Sequence, residues 1–416
     1  MESLKLFIQS FVKRGGILVA LSTFLGKFSS AILAIVIVRI LSPDEYSYLA
    51  YLLSFYAIFV VFAGIGGNYS LMRYGSISDS YTKKIVLYHF ALKKGLLYTI
   101  VFLLISIAVF YFVGTDVLVL PFGIMTLSIL SYYALEVLKS YYRILELNQV
   151  YAKITSYSSI LILILAIGFT YFFNISGYFI GLLVAPILVF IFYSYQITDK
   201  TKVNESSLID KRSFWSYGVH TSISAFANQI IFSIAPILIE ALSTNKLEIG
   251  LFKVATIIPF NVLTLPGILM QTDFTALAKN SSSKQYLLDY YFNYLKIFGI
   301  ITIPFFIASI YFGDYIVIGL FGSDYKDAVL MYQIFMVATY FSYILRNPLG
   351  NILLAVGKAK WNGYNTYFFC GFYVLTAFLL FNTFGVYSFV YSLAFVFVIS
   401  GFVSLAMFYS YLKALK

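Results

Sequence analysis

The chain has 416 residues, 61% of them hydrophobic and 11% charged, with a net charge of +11. Soluble domains carry about 25% charged residues, so a chain this apolar lacks the polar surface to cover itself in water. That excludes a water-soluble enzyme and points to a protein solvated by lipid, in which the basic excess is a topology signal rather than a nucleic-acid footprint.

In chain order, residues 1–14 come first. Leu4, Phe7, Ile8, Phe11 and Val12 share one helical stripe, opposite Lys5, Gln9 and Lys13. This spacing predicts an amphipathic interfacial helix, or the first turns of a longer one. Apolar runs long enough to span a bilayer follow at 15–38, 46–67, 95–113, 117–138, 154–173, 178–198, 214–240, 249–272, 294–313, 328–345, 362–381 and 386–411. Backbone groups in lipid must pair within their own segment, so these runs are helices, and the fold class is an all-α membrane protein with about twelve transmembrane helices. The first run lacks an Ala-x-Ala cleavage site and is expected to remain as an anchor. A polar, charged stretch at 199–213 reads as a linker between an N-terminal six-helix bundle at 15–198 and a C-terminal one at 214–411. A faint repeat supports the division, with Leu41 and Ser42 aligning on Leu242 and Ser243.

Orientation follows from the loops. Of the 28 Lys and Arg residues, 23 fall in segments on the side of the N-terminus. Three (Arg39, Lys246 and Lys326) fall on the other side, and two (Lys27 and Lys253) lie inside spans. Basic loops stay in the cytoplasm. Both termini are therefore expected there, in a multi-pass membrane protein.

Signals for bond-making chemistry are poor. There are two histidines, one cysteine (Cys370), no Gly-x-x-x-x-Gly-Lys-[Ser/Thr] loop and no cluster with metal-ligand spacing. No cofactor, metal site or catalytic residue is expected, nor a nucleic-acid partner. What remains are polar groups at membrane depth. Lys27 stands near the middle of the first span, where a charge costs at least ~2.5 kcal/mol unless it meets a cavity or a partner. Lys253, His220, Asn228 and Gln229 complete the candidate cavity-lining set. For the amides, ordinary helix–helix hydrogen bonding is an equally good explanation. Seven of the eight prolines lie in or at the ends of spans, where they can kink helices.

Several stretches resemble one family. They are VRILSPDEYSYLAYLLS at 38–54, LSTNKLEIGLFKVATIIPF at 242–260, GDYIVIGLFGSDYKDAVLMYQI at 313–334 and RNPLGNILLAVGKAK at 346–360. In this order they are similar to the Wzx-type O-antigen flippases, polysaccharide transporters of the multidrug/oligosaccharidyl-lipid/polysaccharide exporter superfamily. The resemblance implies a MATE-like pair of six-helix bundles around a central cavity. It also implies a cargo, undecaprenyl-pyrophosphate-linked O-antigen repeat units, moved from the cytoplasmic to the periplasmic leaflet by alternating access. The implied partners are that lipid-linked oligosaccharide, the bilayer and other O-antigen assembly proteins. Family members often carry an Asp in the second span and another in the seventh. Here those neighbourhoods read VFAGIGG and FSIAPILI, which argues against a carboxylate ion site at these places. The competing readings are an O-antigen polymerase, which would want a large outer loop, and a multidrug exporter of the same superfamily, which would want an anionic or apolar cavity.

Overall fold

The computed structural model describes residues 16–78, 80–113, 119–197 and 210–415. The stretch expected as an interfacial helix at 1–14 lies outside the described residues, as does most of the 199–213 linker. Fifteen α-helices make up the described chain: α1 (Gly16–Ile40), α2 (Pro43–Val61), α3 (Gly67–Ile77), α4 (Tyr81–Val113), α5 (Val119–Ile144), α6 (Asn148–Ser194), α7 (Lys211–Leu242), α8 (Leu247–Lys279), α9 (Lys284–Tyr294), α10 (Ile303–Tyr311), α11 (Gly313–Phe321), α12 (Val329–Phe341), α13 (Asn347–Ala355), α14 (Ala359–Phe384) and α15 (Tyr387–Ala414).

Among the described residues, eleven helical segments are long and apolar enough to cross a membrane. One of them, α6, has 47 residues. Straight, it would reach about 70 Å, more than twice the hydrocarbon thickness. It is not straight. Phe173 (φ −128°, ψ 16°) and Asn174 (φ 49°, ψ −133°) leave the helical region. Beyond them the chain doubles back, so that a β-carbon on Gly181 would stand 2.4 Å from Ala166 Cα. Gly177 and Gly181 are what allow the two arms to touch. α6 therefore supplies two candidate spans, the pair expected at 154–173 and 178–198, which makes twelve among the described residues.

The chain divides into two compact units. One takes residues up to Leu41 together with Leu52–Gln229. The other takes Ser42–Tyr51 and everything from Ile230 onward, so α2 and α7 each contribute to both.

In the first unit, α1 packs along the first arm of α6, with Gly26 against Ser159. The second span does not run unbroken over 46–67 as its hydropathy suggests. Gly64, Ile65 and Gly66 take positive φ in a short 3-10 segment between α2 and α3. The break makes room for Tyr133 of α5. A β-carbon on Gly64 or Gly95 would lie about 2 Å from its ring carbons or hydroxyl, and its hydroxyl donates to the Ala91 carbonyl at 2.8 Å. The freed Gly64 N–H donates to Thr99 Oγ1 at 2.7 Å, so the broken helix leaves no orphan donor there.

The second unit shows how its helix starts are encoded. Ser42, Pro43 and Glu45 form a capping box at α2. The Ser42 N–H and Oγ both donate to Glu45 Oε2 at 3.0 Å, and the Glu45 N–H donates back to Ser42 Oγ at 3.3 Å. The aligned Ser243 likewise donates to Glu248 Oε2 at 2.7 Å. Between α12 and α13 the chain makes a π-helical turn at Ser342–Arg346. Tyr294 and Tyr291 donate to the carbonyls of Tyr343 (2.8 Å) and Ile344 (3.3 Å) that this turn leaves over. Arg346, expected in a loop, therefore lies within a continuous helix that runs on to Ala355. Its guanidinium donates to Asn362 Oδ1 and to Thr366 Oγ1 of α14.

Candidate functional site

On α1 the buried stripe is Ser22, Ser29, Leu33 and Ile37. Lys27 lies off that stripe and is exposed. At 100° per residue its side of the helix is shared with Thr23, Ser30 and Ala34, all small, while the bulky Leu21, Phe24 and Phe28 take the next sector. A lysine set among small and hydroxylated residues suits protein or water better than acyl chains. Among the described residues its ammonium has no ion-pair partner.

Two more of the expected residues share one face of α7. Ser216, His220, Ser224 and Asn228 follow at four-residue spacing, all exposed. The last three reach back down their own helix. His220 Nδ1 lies 2.6 Å from the Ser216 carbonyl, Ser224 Oγ donates to the His220 carbonyl at 3.0 Å, and Asn228 Nδ2 donates to the Ser224 carbonyl at 3.2 Å. A carbonyl can only accept, so His220 Nδ1 carries a proton. The stripe is thus a ladder of hydrogen-bonding groups about 18 Å long within an apolar helix. The opposite face of α7 is used for packing. Gly218 meets Gly66, the Phe214 carbonyl accepts from Ser70 Oγ at 2.7 Å, and Phe226 lies on Phe62. The cap that starts α7 is Asp210, whose carboxylate accepts from the Ser213 hydroxyl (2.6 Å) and N–H (3.2 Å) and is held by them below the ordinary carboxylate range.

The other two residues stand apart. Gln229, one position on from Asn228, is half-buried and already engaged. Lys253 is half-buried on α8 in the second unit, with no carboxylate partner among the described residues. The structure therefore joins His220 and Asn228 on one face, adds Lys27 on another helix of the same unit, and places Lys253 in the other unit.

Sequence reasoning missed a second constellation, wholly within the first unit. A cleft of about 540 Å³ opens where α3, α5, α6 and α7 approach at the ends nearest the basic loops. Arg73, Lys139 and Arg143 line it, with Glu136 as the carboxylate among its described lining residues. Lys139 Nζ pairs with Glu136 Oε1 at 2.8 Å. The two arginines instead lie over aromatic faces: Arg73 is 4.8 Å from the Tyr217 ring centroid and Arg143 is 5.4 Å from that of Tyr151. Each of these cations looks like an ordinary topology charge in the sequence. The four-residue spacing of Lys139 and Arg143 on one helix was the only local hint.

Comparison with known proteins places this geometry in context. A family model described as "Polysaccharide biosynthesis protein" matches residues 36–330. The teichuronic acid biosynthesis protein TuaB of Bacillus subtilis (strain 168) is 25% identical over 149 residues, a match spanning 36% of this chain and 30% of that relative. The inward-facing conformation of a multidrug resistance MATE family transporter of the MOP superfamily superimposes with a TM-score of 0.71 at 15% identity, covering 92% of this chain and 94% of the other. The lipid II flippase MurJ in its inward closed conformation gives 0.71 at 16%, covering 95% and 87%. A MOP superfamily transporter from Pyrococcus furiosus, described as having a binding pocket of reverse polarity, gives 0.67 at 15%, covering 96% and 95%. At such identities the structural likeness establishes the fold, which is that of these multi-pass membrane transporters. The family match covers more than half of the sequence, and the chain belongs to the polysaccharide biosynthesis protein family.

Proposed function

We propose that this protein is a flippase that carries undecaprenyl-pyrophosphate-linked O-antigen repeat units from the cytoplasmic to the periplasmic leaflet of the bacterial inner membrane. The observation that carries the reading is the set of exposed polar groups at membrane depth, Lys27 on α1 and the His220–Ser224–Asn228 ladder on α7. A pyrophosphate and its sugars cannot enter hydrocarbon unaided. A cation offsets the loss of phosphate hydration, and a ladder of neutral donors and acceptors can exchange hydrogen bonds with successive hydroxyls as a glycan moves. The family membership, the kinship with a protein named for teichuronic acid biosynthesis and the fold shared with a protein named as a lipid II flippase all support a lipid-linked glycan as cargo.

In this reading the bundles 15–198 and 214–411 are the two bodies that alternate access, and both termini are cytoplasmic. Lys253 extends the cationic path in the second bundle, and Gln229 supports the ladder from the side. No bond is made or broken, so no catalytic residue, metal or cofactor is assigned, and other O-antigen assembly proteins act before and after. A drug exporter for cations is disfavoured by the lysine and by the basic cleft.

The test is complementation. In a strain without its own flippase, supplied with candidate O-unit pathways one at a time, one pathway should regain surface polysaccharide. A protein that reaches the membrane and restores none of them would contradict the proposal.

A further inference from the structure

The cleft between α3, α5, α6 and α7 holds three cations against one carboxylate. Glu136 is taken up by Lys139, which leaves the two arginines in charge of the remaining space. Each guanidinium carbon lies over a tyrosine ring, Arg73 at 4.8 Å and Arg143 at 5.4 Å from the ring centroid. A guanidinium over a ring is held by the ring's quadrupole and uses none of its five N–H donors on a charged acceptor. Among the described residues neither arginine meets a carboxylate that would use those donors. The cleft thus presents two guanidinium forks, a net charge of two positive and the hydroxyls of Tyr151 and Tyr217, in a volume typical of small-ligand sites.

Guanidinium forks match phosphate oxygens pairwise. A single phosphodiester carries one negative charge and would engage one fork. A diphosphate diester carries two charges on adjacent phosphorus atoms and would engage both. We infer that this cleft is a docking site for the diphosphate group of a polyprenyl-diphosphate-linked sugar, held at the helix ends on the basic side before translocation. That the diphosphate is carried by a lipid rests on the proposed flippase function; the preference for a diphosphate over a single phosphate rests on the two forks alone.

The test uses the full-length protein in phosphatidylcholine nanodiscs, titrated with inorganic pyrophosphate. Wild-type protein should bind it. Arg73→Gln with Arg143→Gln should weaken binding at least ten-fold, since both charge-assisted forks are lost. Arg73→Lys with Arg143→Lys keeps the charge but not the forks and should fall between the two; an unchanged melting temperature of this variant separates lost binding from lost folding. Undecaprenyl pyrophosphate in the nanodisc should block pyrophosphate binding, and phosphatidylglycerol at the same mole fraction should not.

Three results would overturn the inference. The first is a double Gln variant that binds pyrophosphate like wild type. The second is competition by phosphatidylglycerol equal to that by the polyprenyl lipid, which would mark a general anionic-lipid site. The third is pyrophosphate binding that the polyprenyl lipid does not affect, which would mark a site for soluble diphosphates. Binding is read without transport, so wild-type protein that binds yet translocates nothing would refute the flippase reading alone. A Gln variant that loses binding but transports fully would refute the docking role alone.

Discussion

Gly66 and Gly218 meet backbone to backbone: a β-carbon on Gly66 would stand 2.2 Å from the Gly218 carbonyl oxygen, and one on Gly218 would stand 2.6 Å from the carbonyl oxygen of Ile65. Gly66 also holds φ at +72°, where side chains are strained. This contact sets the packing face of α7 and so the direction of the polar ladder on its other side. Gly66→Ala should cost about 1–3 kcal/mol in strain alone and lower the melting temperature in detergent. Gly168→Ala, with open space around its β-carbon, should melt as wild type. Equal melting of Gly66→Ala and Gly168→Ala would mean that α7 is not seated in this way.

The fold-back within α6 predicts a distance. Ile160 and Ile187 are both exposed, one on each arm. With spin labels at Ile160→Cys and Ile187→Cys in a Cys370→Ser background, packed arms about 8–10 Å apart should give a label separation under about 25 Å. A straight helix would hold the two positions about 40 Å apart. The longer distance would remove a crossing and reverse the orientation of everything after it.

Orientation has its own test. Ser323 and Ser282 are surface positions at opposite ends of the crossings. In the Cys370→Ser background, an impermeant thiol reagent applied to intact cells should label Ser323→Cys and spare Ser282→Cys until the membrane is opened. Labelling of Ser282→Cys in intact cells would place the basic loops outside.

The ladder and the lysine should separate by chemistry. Lys27→Ala should abolish surface polysaccharide at normal protein levels, and Lys27→Arg should retain part of it, because phosphate accepts either cation. Asn228→Ala and Ser224→Ala should slow export by a few-fold each, since other rungs remain. Full export by Lys27→Ala would assign that lysine no cargo contact; degradation of the variant would make it a structural group instead.

Much of the fold was legible because lipid imposes one solution, a helix of roughly twenty apolar residues, and hydropathy reports that length directly. The capping box of Ser42 and Glu45 came from the structure, although its pattern is local in sequence. The break at Gly64–Gly66 was not. Glycine is common in membrane helices, and only the arrival of Tyr133, some 70 residues on, shows why the helix opens there. Arg346 was assigned to a loop because charge ends a hydropathy window, whereas Asn362 and Thr366 hold it within the helix. The cleft escaped for a related reason. Arg73, Arg143 and Tyr217 come from three helices distant in the chain, and in a sequence its cations are indistinguishable from the charges that set topology. His220 and Asn228 could be found because each is a polar residue inside an apolar span; their shared face emerged from the structure.

The proposed movement of a lipid-linked glycan across the bilayer can be measured on the purified protein. The direct measurement is reconstitution of purified protein into liposomes carrying an undecaprenyl-pyrophosphate-linked oligosaccharide on both leaflets, with the accessible pool read by a membrane-impermeant glycan-cleaving enzyme. With active protein the cleaved fraction should rise from about half to nearly all, and Lys27→Ala should hold it at about half. A cleaved fraction that stays at half with folded wild-type protein, for every oligosaccharide offered, would mean that the protein does not flip these lipids.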